Sequence, residues 1–189
     1  MRWSIFLLFT FIALVLQDGL EGLFQINGVS PSFLLILAVY INLRAPMPTL
    51  AWSSLVLGIV VDLTTRTWSS GDAGVHYALI GPMALGYLLG GFGAVQIRGM
   101  VFRDSPMTLG MLVFVLGIAV HLLGVLLISL RGVPWFLNEP MLDYSASNEI
   151  VLRFFELIYT AVLAVPLGYV LRGTTGLWGF EKTKGMNRY

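Results

Sequence analysis

The sequence predicts an all-α membrane protein with six transmembrane helices, and its composition and its apolar runs lead to this fold class. Hydrophobic residues make up 57% of the 189 residues and charged residues only 11%, whereas soluble domains have roughly 25% charge. The mean hydropathy is +0.85. Six apolar runs follow one another along the chain, at Trp3–Leu16, Ser32–Leu43, Leu50–Leu63, Val75–Ile97, Met107–Leu130 and Ile150–Leu171.

The runs differ in length, which affects how each can cross a bilayer. A helix rises about 1.5 Å per residue and the hydrocarbon core is about 30 Å thick, so a span needs roughly 20 residues. The last three runs meet this length. The first three have only about 14 apolar residues each and need flanking residues or shielding by neighbouring helices. The alternative for any of them is a re-entrant or interfacial segment.

The basic residues are distributed unevenly between the predicted loops. With the N-terminus inside the cell, cytoplasmic segments contain eight of the eleven Lys and Arg residues, and eight of the ten acidic residues lie outside, at the outer end of the third run or in the last span. Short loops rich in Lys and Arg stay in the cytoplasm. We therefore expect an inner (cytoplasmic) membrane protein with both termini in the cytoplasm. Residues 1–180 would form a single six-helix transmembrane domain and residues 181–189 a short polar cytoplasmic tail.

Several kinds of chemistry are excluded or disfavoured by the residue inventory. The chain has no cysteine, which excludes disulfides, iron–sulfur clusters and cysteine-ligated zinc. Its two histidines, His76 and His121, lack suitably spaced carboxylates, so we expect no metal site. No nucleophile and base are placed to work together, so we expect no catalytic residues, no cofactor and no enzyme activity. No basic patch is large enough for nucleic acid.

The third run carries one stripe of small and polar side chains. Positions three and four apart lie on one face of a helix, and small residues there allow another helix to approach closely. Asp62 lies at the outer end of the run, and three interpretations of it stay open. It is a helix-end carboxylate in headgroup water, a hydrogen-bond anchor for the loop Thr64–Gly74, or a proton-relay group. The stripe consists of Ala51, Ser54, Gly58, Asp62 and Thr65.

The fifth run carries three glycines spaced seven residues apart, Gly110, Gly117 and Gly124. This heptad spacing predicts a seam on which a neighbouring helix packs, while Leu112 is expected to face lipid. His121 lies well inside the run and should face protein rather than lipid. Either its side chain forms a hydrogen bond with a neighbouring helix, which is the commoner case, or it serves as a ligand to a bound group.

The fourth and sixth runs each contain a local signal. Pro82 in the fourth predicts a kink, and the pair Gly86 and Gly90 predicts close helix contact.

The sixth run begins with charges at spacings of four and three that can pair on one helical face. These charges form either a self-neutralising outer helix end or a docking point for a partner's membrane segment. They are Glu149, Arg153 and Glu156.

Two segments resemble the family of the bacterial rod shape-determining protein MreD. Ser30–Tyr40, followed by Pro46, resembles the P-x-x-L-L-x-x-x-x-Y pattern at the start of that family's second helix. Gly58–Leu63, followed by Gly74–Leu79, resembles its G-x-x-x-D-L…G-x-x-A-L signature. Together they cover about a third of the chain. The loop between the two halves of the signature departs from the family, because it is longer and more polar.

The resemblance implies a helix arrangement similar to the substrate-binding subunits of energy-coupling-factor vitamin transporters. It also implies a non-enzymatic membrane scaffold for cell elongation and cell-shape control. Such a scaffold would bind an MreC-like single-span periplasmic protein, the elongation glycosyltransferase and transpeptidase, membrane lipids and, indirectly, MreB. The alternative is a vitamin- or solute-capture subunit with an outer-face pocket. Polar residues on the outer side are few, which favours the scaffold.

Overall fold

A computed structural model describes residues 1–19, 25, 29–64, 68–70, 75–77, 80–100, 105–131 and 146–180, without the side chains of 68–70, 75–77, 128–131 and 146–149. Six α-helices lie in this part of the chain: α1 (Trp3–Leu14), α2 (Phe33–Arg44), α3 (Met47–Thr64), α4 (Pro82–Ile97), α5 (Pro106–Arg131) and α6 (Ala146–Gly173). A π-helical turn, Val15–Gly19, continues α1. Two short antiparallel strands, β1 (Trp68–Ser70) and β2 (Val75–Tyr77), lie between α3 and α4. The predicted helical fold class is confirmed in this part of the chain, with six α-helices.

Three of the described helices are long and apolar enough to cross a membrane. They are Met47–Thr64, Pro106–Leu127 and Ile150–Gly173. The other three apolar segments, which are α1 with its π-helical turn, α2 and α4, have between 10 and 17 residues. Large apolar side chains are exposed on the long helices and on α1, Phe11 and Met111 among them. Such extensive apolar exposure suits contact with lipid rather than water, as expected of a helical membrane protein.

The fourth helix differs from its sequence prediction because the first part of the apolar run is not helical. Val75–Tyr77 pairs with β1, and α4 begins only at Pro82. Gly81 has a φ of 134°, which side-chain-bearing residues rarely adopt, and proline is suited to the first turn of a helix because it needs no N–H partner there. The predicted kink at Pro82 is therefore wrong. The helix is 16 residues long, whereas α3 reaches 18.

The shortness of α2 follows from its central position. Every residue from Phe33 to Leu43 is buried, and α2 contacts each of the other five helices. A helix that is apolar on all sides is one surrounded by other elements. Its length of about 18 Å therefore need not match the bilayer thickness. This is the shielding by neighbouring helices that the second apolar run required.

The remaining helices pack as antiparallel neighbours around α2. α3 lies along α4, α4 along α5, and α5 along α6. We name the two ends of the bundle by one residue each. The Asp62 end contains the end of α1, the start of α2, the end of α3 and the starts of α4 and α6. The Trp178 end contains the start of α1, the end of α2 and the segment that follows α6.

The Trp178 end is closed by an aromatic cluster. Trp178 is fully buried, and its ring lies 4.9 Å from that of Phe9 and 5.7 Å from that of Tyr40. The Trp178 carbonyl accepts a hydrogen bond from the backbone N–H of Arg2 at 2.8 Å. The Tyr40 hydroxyl donates to the Leu171 carbonyl at 2.8 Å. These contacts join the first residues of α1, the middle of α2 and the segment after α6.

Candidate functional site

Asp62, near the end of α3, joins its helix to the start of α4 through three hydrogen bonds. Its carboxylate is 5% exposed and accepts backbone N–H bonds from Gly81 at 2.8 Å, Met83 at 3.0 Å and Ala84 at 3.1 Å. The first N–H groups of a helix have no partner within the helix, and a negative charge there is favoured by the helix dipole. Asp62 therefore caps α4 from a neighbouring helix, where Gly81 has no side chain to do so.

Gly58, one turn before Asp62, brings the two backbones close enough for this cap. A Cβ at position 58 would contact the Cα of Ala84 and would lie 2.8 Å from the Met83 carbonyl oxygen. Helices in membranes associate by such close approach at small residues. We call Gly58, Asp62 and the residues 81–84 the α3–α4 junction.

The burial of Asp62 contradicts one of the three interpretations drawn from sequence. Asp62 is buried, so it is not a helix-end carboxylate in headgroup water. Its described partners are the backbone N–H groups of Gly81, Met83 and Ala84 at the start of α4. The role as an anchor for the loop Thr64–Gly74 stays a prediction. Most of that loop, including Gly74, lies outside the described residues.

Ser54, one turn earlier in the stripe, makes the next contact between helices. Its hydroxyl donates to the Asn42 side-chain oxygen of α2 at 2.9 Å, and both residues are buried. A Cβ at Gly91 of α4 would lie 2.8 Å from the Ser54 Oγ. Three helices therefore meet at one polar contact. Asn42 is a residue that the sequence reasoning missed, although a lone amide inside an apolar run is a recognisable signal.

Replacing Ser54 with alanine should lower the free energy of unfolding by about 1–3 kcal/mol, because the buried Asn42 amide loses its hydroxyl donor. Ser53→Ala is the matched control, since Ser53 is equally buried but donates only to the Leu50 carbonyl of its own helix. The free energy of unfolding of Ser53→Ala should be almost unchanged. Unfolding of the detergent-solubilised protein by heat measures both. Equal losses at the two positions would contradict a role for the contact between α2 and α3.

The predicted glycine seam of α5 packs against three helices instead of one, since a Cβ at Gly117 would also lie 3.1 Å from Leu35 of α2. A Cβ at Gly110 would lie 2.8 Å from the Ala161 carbonyl of α6, and a Cβ at Gly117 would contact Leu157 of the same helix. Gly124 instead faces α4, where a Cβ would meet the Met83 side chain at 2.8 Å. In a straight α-helix, positions seven residues apart are offset by about 20° around the axis. Glycines fourteen residues apart therefore face different neighbours.

The residue expected to face lipid on α5 is also corrected. Leu112 is only 4% exposed and belongs to the core, whereas the preceding Met111 is exposed. The lipid-facing side of α5 is therefore rotated by about one position, or roughly 100°, from the expected one. Its neighbours Val115 and Leu122 share the exposed side.

The charges at the start of α6 form an ion pair inside the protein. Arg153 Nη1 lies 2.9 Å from Glu156 Oε2, and the two side chains are 16% and 14% exposed. One turn further, Thr160 accepts a hydrogen bond from the backbone N–H of Ser32 at 3.0 Å, which ties α6 to the start of α2. The Glu149 side chain lies outside the described residues. The observed pair supports the self-neutralising interpretation.

A cavity of about 730 Å³ opens beside this ion pair at the Asp62 end. All six helices or their adjoining residues contribute to its wall. The sequence suggested few polar groups here, yet residues far apart in the chain bring several together. They include Gln17, Asp18, Ser32, His121, Arg153 and Glu156. The volume lies within the range of roughly 300–1,000 Å³ found for small-molecule sites.

The remaining candidate residues lie in different parts of the described bundle. Among the described residues, no three His, Asp or Glu side chains are placed to hold a metal ion. His121 lines the cavity with Arg153 and Glu156, whereas Asp62 is engaged at the α3–α4 junction. No protein-family profile, curated protein or solved structure matches the chain.

Proposed function

We propose that this chain is a non-enzymatic membrane scaffold of the bacterial cell-elongation complex, of the MreD kind. The proposal rests on the segments Ser30–Tyr40 and Gly58–Leu63, which carry the sequence resemblance. The observation that supports it best is the α3–α4 junction. Gly58 and Asp62 are the glycine and the aspartate of the G-x-x-x-D-L signature. Gly58 allows the close approach of α3 and α4, and Asp62 accepts the hydrogen bonds between them. Two residues that carry the resemblance therefore also hold α3 against α4.

The proposed arrangement places six helices in the bacterial inner membrane with both termini in the cytoplasm. The uneven distribution of Lys and Arg supports this orientation, which turns the Asp62 end to the periplasm and the Trp178 end to the cytoplasm. Three of the six helices are shorter than a bilayer requires, and the central position of α2 accounts for one of them. The general arrangement would resemble that of energy-coupling-factor substrate-binding subunits.

The partners of such a scaffold would be an MreC-like single-span periplasmic protein and the elongation glycosyltransferase and transpeptidase, with MreB coupled indirectly. A partner's membrane helix would pack in the bilayer, where α6 exposes apolar side chains such as Phe155 and Val162. The pair Arg153 and Glu156 is turned toward the cavity and is mostly buried. Packing on α6 would therefore rely on shape and apolar contact.

Co-purification from native membranes tests the proposal. The tagged full-length chain, extracted in mild detergent, should carry an MreC-like protein and the elongation synthases in mass spectrometry. A tagged, unrelated multi-span protein expressed at the same level serves as the control. Recovery of an ATPase module in place of these partners would contradict the scaffold.

The cavity favours a second candidate, a vitamin- or solute-capture subunit. Its volume of about 730 Å³ and its polar lining suit a small molecule. Such a subunit would co-purify with an ATPase module and retain one vitamin molecule per chain. The scaffold predicts neither.

A further inference from the structure

The first helix, α1, runs beside α2 from one end of the bundle to the other. At the Trp178 end, the backbone N–H of Arg2 donates to the Trp178 carbonyl at 2.8 Å. At the Asp62 end, the side-chain oxygen of Gln17, in the π-helical turn after α1, accepts a hydrogen bond from the Leu34 N–H at 3.4 Å. A helix that lies flat on the membrane surface would not reach both ends. In a bilayer, α1 therefore crosses together with α2.

Unlike α2, α1 is open to lipid. Only Phe6, Thr10 and Ala13 of its 12 residues are buried, and α2 is the one helix along which it packs closely in the described part of the chain. Large apolar side chains cover its other sides, where neighbouring helices do not shield them from the bilayer as they shield α2. These exposed side chains are Trp3, Leu7, Leu8, Phe11, Ile12 and Val15.

The apolar surface of α1 is much shorter than that of α6. On α1 it extends from residue 3 to residue 15, a rise of only about 18 Å, and exposed charged residues, Arg2 and Asp18, lie just beyond its two ends. On α6 the exposed apolar side chains extend from residue 150 to residue 170, about 30 Å, which matches the core of a bilayer. One bundle therefore presents two different apolar heights to the surrounding lipid.

The two apolar surfaces end at the same headgroup layer on the Trp178 side. Trp3 is 47% exposed and Tyr169 64%, and the amphipathic rings of Trp and Tyr prefer the membrane interface. Arg2 and Arg172, both exposed, lie beside them toward the helix ends. The difference in height, about 12 Å, therefore lies on the Asp62 side. On that side the π-helical turn after α1 forms part of the wall of the polar cavity.

We propose that the bilayer is thinned beside α1, with phospholipid headgroups of the Asp62 side at the level of the turn Val15–Gly19. A bilayer of full thickness would surround the exposed Asp18 with hydrocarbon, and a charged side chain there is costly. A bilayer adapts to a short apolar surface by local thinning. The inference rests on the proposed six-span arrangement and goes beyond the scaffold function, because it identifies the lipid surface that α1 contacts.

Depth measurements with spin labels test the proposal. The chain has no cysteine, so single cysteines can be introduced at the exposed positions of the full chain in vesicles of palmitoyl-oleoyl phosphatidylcholine. Collisions with oxygen and with a water-soluble nickel chelate give the depth of each label. On α1 the deepest label should be at Leu8, about 9 Å along the helix from Arg2, and on α6 it should be near Val162.

A bilayer of full thickness gives a different depth profile. Its midplane would lie about 15 Å from Arg2, which moves the deepest label on α1 to Ile12. A maximum at Ile12 would overturn the proposal. So would labels on α1 that never reach hydrocarbon while those on α6 do, because α1 would then not cross the bilayer at all.

Lysine at two matched positions gives a second test. Val15 lies thirteen positions from Arg2, Ile158 lies fourteen from Arg172, and the two side chains are 45% and 40% exposed. Val15→Lys should reach the native level in the membrane, because a thinned bilayer leaves position 15 at the headgroups. Ile158→Lys should lower the level of folded protein at least about tenfold, because lysine near the centre of a span is strongly disfavoured. Equal losses would reject the thinning but leave the scaffold function standing, since co-purified partners test that function independently.

Discussion

Replacing Asp62 with leucine should prevent the accumulation of folded protein. Leucine removes both carboxylate oxygens and leaves the N–H groups of Gly81, Met83 and Ala84 without their acceptor. Hydrogen bonds to a charged group contribute about 1.5–3 kcal/mol each, and three are lost together. Total stabilities of proteins are only about 5–15 kcal/mol, so the loss is a large part of the whole. Protein level in the membrane and thermal unfolding in detergent measure the effect.

Two further variants make the Asp62 result specific. Asp62→Asn keeps the size and one acceptor oxygen, so it should be clearly milder than leucine. Thr64→Val is the matched control at the same helix end, because the Thr64 hydroxyl donates only to carbonyls of its own helix, those of Val60 and Val61. It should unfold close to the native temperature. If the scaffold function holds, loss of rod shape should follow protein level across this series. Normal protein level with leucine would refute the cap.

The sequence predicted which side of α3 would be a contact surface but not what the surface would contact. Spacings of three and four placed Ser54, Gly58 and Asp62 on one stripe, and all three face other helices. A stripe of small residues shows only where a neighbour can approach. The partner depends on where α4 begins, and Val75–Ile97 reads as one continuous apolar run. The break arises from the backbone of Gly81 and from strand pairing, which hydropathy does not detect.

The cavity could be predicted least from the sequence. Its wall joins residues separated by more than a hundred positions, such as Asp18 and Glu156. Each alone is a charged residue near a helix end, and such residues are usually solvated. Only the packing of the helix ends around the start of α2 brings them to one chamber. The exposed side of α5 was misjudged for a similar reason, because the three-glycine pattern does not reveal that its neighbours change along the helix.

Replacing Gly58 with valine should separate α3 from α4 and lower the free energy of unfolding by about 3 kcal/mol or more. Overpacking in a core costs about 1–3 kcal/mol when side chains can adjust. At this position the obstruction is backbone, since a Cβ would meet the Ala84 Cα and would lie 2.9 Å from the Ala84 nitrogen. No side-chain rotation relieves such a contact. Any shift of α4 also lengthens the hydrogen bonds to Asp62, so the two effects reinforce each other.

Alanine at the same site and at a second glycine provides the control. Gly58→Ala should already destabilise, because its single methyl group meets the same backbone atoms. Gly93→Ala, in α4, should be neutral or stabilising, since its Cβ would lie 3.5 Å from a flexible Leu116 methyl and alanine favours a helix over glycine by about 0.8–1.0 kcal/mol. Thermal unfolding of the three variants in one detergent gives the comparison. If Gly58→Ala unfolds at the native temperature, the backbones of α3 and α4 are further apart than the junction requires. In that case Asp62 would lie beyond reach of the N–H groups that it caps.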